Sequence, residues 1–204
     1  MPAANMTASI PRLFRTYRVP KNQSFDCTIR EAARATTAAP TFFKGIDIGG
    51  PAWKEPFIDG AFGRNNPIGQ VFEEAELVFP SGRVACAICI GTGQAQTIAI
   101  PKPGLFQRIL PSDVVNAIVK IATHCERTAE ETERRFKPSP NIYFRLNVEQ
   151  GMQNITLAQW DRLGEVATHT NQYLLKAEVD QKLEAAVKAI REQRGVIATT
   201  QLGM

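Results

Sequence analysis

Apolar residues follow two alternating patterns along this chain. Short runs rich in apolar residues predict strands at Leu13–Tyr17, Phe57–Ile58, Val84–Ile90 and Asn141–Asn147. Longer stretches with an apolar residue every three or four positions predict helices over Asp113–Phe136, Trp160–Ala177 and Val179–Ile190. Good helix formers predict a helix over the Ala-rich stretch Thr28–Ala38, and a typical helix start predicts another over Asn66–Pro80. Because strand-like and helix-like segments alternate, the pattern predicts an α/β layer architecture.

The run Val84–Ile90 carries no charged or strongly polar side chain. A strand of this composition is typical of the centre of a sheet, with both faces covered. It is also the longest apolar run in the chain, and it is far shorter than the roughly 20 residues that a membrane-spanning helix needs. The sequence therefore predicts a central strand here and no transmembrane segment.

Residues at the ends of the predicted helices support their boundaries. Asp26 is a candidate cap for the first helix, and Pro40 forces the residue before it away from helical geometry. Asn66 and Pro67 form a typical helix start, with Asn as the cap. From Gly195 onward no periodicity remains, which predicts a frayed tail.

Length and composition fit a single large domain, or a domain with a helical extension. The 204 residues can bury an ordinary core without disulfides. Four cysteines and no charged and apolar leader after Met1 favour a reducing, cytoplasmic location. The net charge of +4 is spread along the chain, with some concentration between Arg12 and Lys21, so we expect no binding to nucleic acid.

The segment Ile58–Pro67 (IDGAFGRNNP) carries the strongest chemical signal. It places Asp59 at the end of a predicted strand, beside the small residues Gly60 and Ala61 and just before a helix start. By composition alone, Asp-Gly is commonly just a turn. The chain also lacks the G-x-S-x-G turn that presents the nucleophile of many acyl hydrolases, because none of its five serines lies in such a turn.

Four motifs together resemble the C-terminal half of patatin-like phospholipases. They are EAARATTAAPTFF at Glu31–Phe43, FIDGAFGRNNP at Phe57–Pro67, EEA at Glu73–Ala75 and ICIGTG at Ile88–Gly93. The later segment GMQNITLAQWDRLGEVATHTNQYL is similar to the helical end of fungal members. The resemblance covers about residues 11 to 190, and the combination is much more specific than any single motif.

The resemblance implies a three-layer α/β fold, lipid acyl ester hydrolysis by a Ser-Asp dyad, and no metal or organic cofactor. In the family the aspartate of the D-G-[AG] motif is the serine's partner, so Asp59 is the predicted catalytic residue and Asp59, Gly60 and Ala61 form the motif. A carboxylate is a weak base toward a serine hydroxyl, so we expect Asp59 to be shielded from water and within hydrogen-bond reach. The family's glycine-rich oxyanion loop and serine elbow are absent from these residues.

We therefore expect residues 1–204 to form one partial patatin-like domain whose N-terminal sheet strands are missing. The motif-bearing part is 11–150, the helical part 151–194 and the tail 195–204. The isolated chain is expected to be inactive, to contact membrane surfaces transiently and to self-associate through uncovered sheet surface near Val84–Ile90. The alternatives are a non-catalytic lipid- or protein-binding module derived from this fold, and an incomplete gene model.

Other motifs have simpler structural interpretations. Asn65 and Asn66 could orient a catalytic group, but capping of the following helix explains at least one of them. Gly91-Thr92-Gly93 lacks the third glycine of a dinucleotide loop. Cys86 and Cys89 would face opposite sides of one strand, which favours core packing over zinc or redox chemistry. His124 and Cys125 are adjacent on a predicted helix and so cannot face each other, and His169 lies within a packing pattern.

Overall fold

The computed structural model describes residues 2–5, 11–19, 26–39, 42–94, 125–156 and 158–203, with the backbone alone for residues 2–5, 62 and 63. The chain divides into two compact units. One contains Met1–Pro67 and Ile98–Cys125, and the other contains Ile68–Thr97 and Glu126–Met204. Both units combine helices with small sheets, so the predicted mixture of α and β structure is confirmed.

The first unit is built on a four-stranded antiparallel sheet. Its strands are β1 (Pro2–Asn5), β2 (Pro11–Leu13), β3 (Ile46–Ile48) and β4 (Glu55–Asp59), in the order β2-β1-β4-β3. Strand β4 lies between β1 and β3, with Ala3 opposite Asp59 and Ile46 opposite Phe57. Its predicted core, Phe57 and Ile58, is therefore a strand as expected, but longer on both sides.

Helix α1 (Ile29–Thr36) packs on this sheet. Its buried residue Ala35 joins Phe14, Ile48 and Phe57 in one hydrophobic cluster. The predicted cap Asp26 was wrong, because the helix begins at Ile29 and the cap is Thr28. Thr28 and Glu31 form a reciprocal capping box.

The predicted strand Leu13–Tyr17 was also wrong, apart from its first residue. Strand β2 ends at Leu13, the residue that the register pairs with Pro2 at the start of β1. Phe14, just beyond it, is buried in the cluster with Ala35, Ile48 and Phe57.

Among its described residues, the second unit contains four α-helices and two small sheets. Its helices are α3 (Ile68–Val78), α4 (Glu126–Phe136), α5 (Leu163–Leu174) and α6 (Ala177–Glu192), and a short helix α2 (Ala61–Arg64) precedes them in the first unit. Helix α3 lies within its predicted range, and so does α4. Residues 113–124, the first part of the helix predicted over Asp113–Phe136, lie outside the described part of the chain. The stretch predicted as one helix over Trp160–Ala177 is a 3₁₀ turn at Trp160–Arg162 followed by α5.

Four short strands complete this unit. Strand β5 (Arg83–Val84) pairs with β8 (Ile197–Ala198), and β6 (Ala87–Ile90) pairs in parallel with β7 (Tyr143–Leu146). The predicted single central strand Val84–Ile90 was wrong, because this run is divided between two sheets. It is not covered on both faces either, since 76% of Ile90 is exposed.

The prediction of a frayed tail from Gly195 was wrong as well. Leu202 is only 1% exposed and lies in a cluster with Ile68, Phe72, Phe136 and Ile142. The hydroxyl of Thr199 donates to the carbonyl of Phe79 at 2.6 Å. Contacts with residues more than a hundred positions away hold this segment in place, and such contacts leave no local periodicity. Among the described residues, no helix has the length and apolar character that crossing a bilayer requires.

Candidate active site at Asp59

Asp59 is the last residue of β4, at the point where the chain leaves the sheet. Its backbone N-H donates to the carbonyl of Ala38 at 3.1 Å, two residues after the end of helix α1. The residue also pairs with Ala3 of β1. The backbone of Asp59 is therefore held both by the segment after α1 and by β1. Its partly buried side chain lies at the C-terminal end of β4.

A hydrogen bond within the D-G-A motif orients the carboxylate. The backbone N-H of Ala61 donates to Oδ1 of Asp59 at 2.8 Å. Gly60 between them is buried and has a helical backbone (φ −68°, ψ −8°), which begins helix α2. A carboxylate has two oxygens with about four acceptor positions in all, so this one bond leaves capacity for a further donor such as a hydroxyl.

Small and apolar residues surround this position. Ala35 and Ala38, both fully buried, come from the EAARATTAAP segment, and the fully buried Phe57 is two residues before the aspartate. The rings of Phe57 and Phe14 contact each other with centroids 5.5 Å apart. The strand end that carries Asp59 is therefore supported by a small apolar cluster.

The role of Ala38 was not predicted from the sequence. Sequence reasoning assigned the ARATTAAP segment to a helix and its stop, and gave it no part in the site. The signal that could have revealed it is the concentration of small residues, which allows α1 and the chain after it to approach the backbone of β4 closely.

The two asparagines after the motif occupy different environments. Asn65 is exposed, whereas Asn66 is buried and its Nδ2 donates to the carbonyl of Cys125 at 3.5 Å. Capping of α3 by Asn66 stays a prediction.

The second unit contains a polar cluster that the sequence did not predict. Glu126 accepts hydrogen bonds at Oε1 from Nη2 of Arg145 and from Nδ2 of Asn147, each at 3.1 Å. The other side-chain atom of Asn147, Oδ1, accepts from the backbone N-H of Gly93 at 2.8 Å. Asn147 thus links the Gly91–Gly93 loop to a partly buried ion pair at the carboxyl ends of β6 and β7. The only sequence signal was the G-T-G motif.

The cysteines and the described histidine do not form a catalytic group. All four cysteines are free and half-buried. Cys86 lies just before β6, and burial raises the pKa of its thiol. The imidazole of His169 packs against the backbone of Gly151. His124 lies outside the described residues. In the described part of the chain, no three His, Cys, Asp or Glu side chains are placed to hold a metal ion.

The fold and site together define an α/β protein with an oriented carboxylate at a strand end, a position where hydrolases place an acid or base. Comparisons with known proteins show which family part of the chain resembles. Residues 2–72 match the model of the family described as patatin-like phospholipase. This match includes Asp59 and the EAARATTAAP segment, so the resemblance seen in the sequence motifs is confirmed.

Two plant relatives extend the comparison. The chain is 31% identical over 118 residues to "Phospholipase A I" of Arabidopsis thaliana, a stretch covering 57% of this chain and 8% of that protein. It is 38% identical over 73 residues to "Patatin-like protein 2" of the same plant, covering 31% of this chain and 18% of that protein. The chain thus spans less than a fifth of the length of either relative. No solved structure gives a significant match.

Proposed function

We propose that this chain is the C-terminal half of a patatin-like acyl hydrolase domain, in which Asp59 is the base of a Ser-Asp dyad. The observation that carries the proposal is the carboxylate of Asp59, which the Ala61 N-H holds at the end of β4 within the family-matched segment. The sheet and helix α1 would form part of the three-layer α/β fold of the family, and the substrate would be a lipid acyl ester.

The chemistry follows from what Asp59 can do. Its remaining acceptor capacity would take the proton of a serine hydroxyl as that oxygen attacks the ester carbonyl. The resulting carboxyl would give this proton to the leaving alcohol oxygen as the C–O bond breaks, so that the alcohol leaves and an acyl-enzyme remains. The restored carboxylate would then take a proton from the attacking water and return it to the serine oxygen as the acid is released. The bond from Ala61 keeps the carboxylate in one orientation, which reduces the reorganisation needed in each step.

The serine and the oxyanion donors are not among these 204 residues, since no G-x-S-x-G occurs in them. A longer reading frame that includes both motifs would supply them. The two relatives, each more than five times as long as the matched segment, are consistent with such a frame.

The test compares the 204-residue chain with a longer protein that carries an upstream G-x-G-x-R-G and G-x-S-x-G. We expect hydrolysis of a chromogenic acyl ester by the longer protein and none by the short chain. Asp59→Asn in the longer protein should lower kcat by about 10²- to 10⁴-fold, the usual contribution of a general base. The matched control is Asp47→Asn, an exposed carboxylate on the neighbouring strand β3, which should leave kcat unchanged.

Two results would contradict the proposal. Turnover by the short chain that survives Asp59→Ala would place the active site elsewhere. A transcript whose coding sequence starts at Met1, with no upstream serine motif, would favour the alternative of a non-catalytic lipid- or protein-binding module.

A further inference from the structure

One corner of the second unit combines exposed apolar side chains with arginines. We call it the corner surface and define it by Phe79, Arg83, Arg194 and Val196. Phe79 is 62% exposed and Val196 58% exposed. Both arginines are exposed as well. Exposed apolar side chains that form a patch with polar residues around it, unlike single ones, mark interaction sites.

Hydrogen bonds bring the two parts of this surface together. The turn after α3 is closed by a bond from the Gly82 N-H to the Phe79 carbonyl at 2.8 Å. Arg83 donates from Nε to the carbonyl of Gly195 and from Nη2 to the carbonyl of Val196, both at 2.8 Å. The Val196 N-H donates to the carbonyl of Val84 at 2.9 Å. Hydrogen bonds therefore join the turn that carries Phe79 to the segment that carries Val196.

The charge of the corner surface is positive. No acidic residue occurs between Leu77 and Val84 or between Gln193 and Ala198, so the two segments contribute only arginines. The bonds that Arg83 makes here go to carbonyl groups, which carry no net charge to offset the guanidinium.

We propose that the corner surface is where the protein contacts an anionic lipid surface, an inference that rests on the proposed function for its choice of partner. Apolar side chains next to arginines are the combination that inserts at the headgroup boundary and attracts anionic lipids. A tip of four side chains is also too small for a stable protein interface, which buries about 800 Å² per partner.

A second exposed apolar region in the same unit fits this role less well. Trp160 is 79% exposed and Leu163 is exposed beside it. There Asp161 lies between them and Arg162 is paired with Glu165, so the region carries no excess positive charge. Of these two regions, the corner surface therefore has the better charge complementarity to an anionic surface.

The experiment is sedimentation of the protein with phosphatidylcholine vesicles, with and without phosphatidylserine. We expect binding to the anionic vesicles and much weaker binding to the neutral ones. Arg194→Gln should weaken anionic binding about fivefold, since a basic residue near such a surface contributes about 1 kcal/mol. Phe79→Ser should weaken it about tenfold. Added salt should reduce the effect of Arg194→Gln, because the attraction is screened.

Matched controls change the same residue types elsewhere in the unit. Trp160→Ser removes another exposed aromatic side chain, and Arg127→Gln removes another exposed guanidinium. Neither should alter vesicle binding. Equal binding to both vesicle types, or equal losses in the controls, would overturn the inference. The inference would also be overturned if Phe79→Ser changed the sedimentation of the protein without vesicles, because that result would identify an interface between protein chains.

The outcome is separable from that of the proposed function. Asp59→Asn should leave vesicle binding unchanged, because Asp59 belongs to the other unit. If the longer protein hydrolyses esters through Asp59 and the corner variants still bind as the unmodified protein does, this inference alone is wrong. If the corner variants lose binding and Asp59→Asn does not lower hydrolysis, the catalytic proposal alone is wrong.

Discussion

Replacing Gly91 with alanine should break the polar cluster at the carboxyl ends of β6 and β7. A Cβ added at Gly91 would lie 2.7 Å from both Nη2 of Arg145 and Cγ of Asn147, and nearer still to Oδ1 of Asn147. Carbon atoms do not approach this closely, so the carboxamide must move. It is a short side chain held at both ends, by Gly93 and by Glu126, and so cannot move without losing bonds.

The cost follows from the bonds that are lost. The bond from the Gly93 N-H to Asn147 is between neutral groups and contributes about 1 kcal/mol, whereas the bond from Asn147 to the Glu126 carboxylate contributes about 1.5–3 kcal/mol. Gly91→Ala should therefore lower the free energy of unfolding of the second unit by about 3 kcal/mol. Because the chain has two units, the stability of the second must be measured by itself. The assay is hydrogen exchange in urea, measured by mass spectrometry on peptides from the second unit.

Two other glycines provide controls. A Cβ at Gly69 in α3 or at Gly164 in α5 would meet no atom within 4 Å. Alanine at either position should leave stability unchanged or raise it by up to about 1 kcal/mol, because alanine is the better helix former. Asn147→Ala should match Gly91→Ala, and the double variant should cost little more than either. Additive losses, or Gly91→Ala as stable as Gly69→Ala, would refute the reasoning.

Phe57→Ala should lower the free energy of unfolding of the first unit by about 3–5 kcal/mol, because the ring is fully buried, and denaturant unfolding with Val71→Ala as an exposed control would measure this. Thr28→Ala should cost about 1 kcal/mol by removing the cap of α1, and exchange rates in that helix would report it. Hydrogen bonds from Thr28 lower the pKa of Glu31, so the stability that the Glu31 carboxylate adds should be present at neutral pH and be lost as acid protonates it in the folded state. The free energies of unfolding of the unmodified protein and of Glu31→Gln, measured as a function of pH, should therefore converge in acid. Burial raises the pKa of the Cys27 and Cys86 thiols, so both should react slowly with iodoacetamide at neutral pH and become as reactive as a free cysteine once the protein is unfolded.

The self-association expected from the sequence also remains a prediction. Ile88 and Ile90 are exposed on β6, which is consistent with uncovered sheet surface on that strand. Analytical ultracentrifugation of the 204-residue chain should show oligomers, whereas Ile90→Ser should shift the distribution toward monomer. A monomer at all concentrations would contradict this expectation.

Local sequence signals determined the helices. The apolar spacing in α4 and α6 predicted their positions, because a helix satisfies its backbone within itself and shows its buried face as a period of 3.6 residues. The helix start at Asn66-Pro67 predicted α3. The sequence also placed Asp59 at the end of a strand and beside small residues, and the motifs around it showed the resemblance to patatin-like phospholipases.

Contacts between distant residues were decided only in the folded chain. The run Val84–Ile90 showed that these residues avoid water, but hydropathy cannot show which strand each residue pairs with, and the run joined two sheets. The segment after Gly195 had no periodicity, yet Thr199 and Leu202 are buried by residues far away in sequence. The orientation of the Asp59 carboxylate likewise depends on where the folded backbone places the N-H of Ala61 and the carbonyl of Ala38. A residue's type limits the bonds it can make, and the tertiary structure decides which of them form.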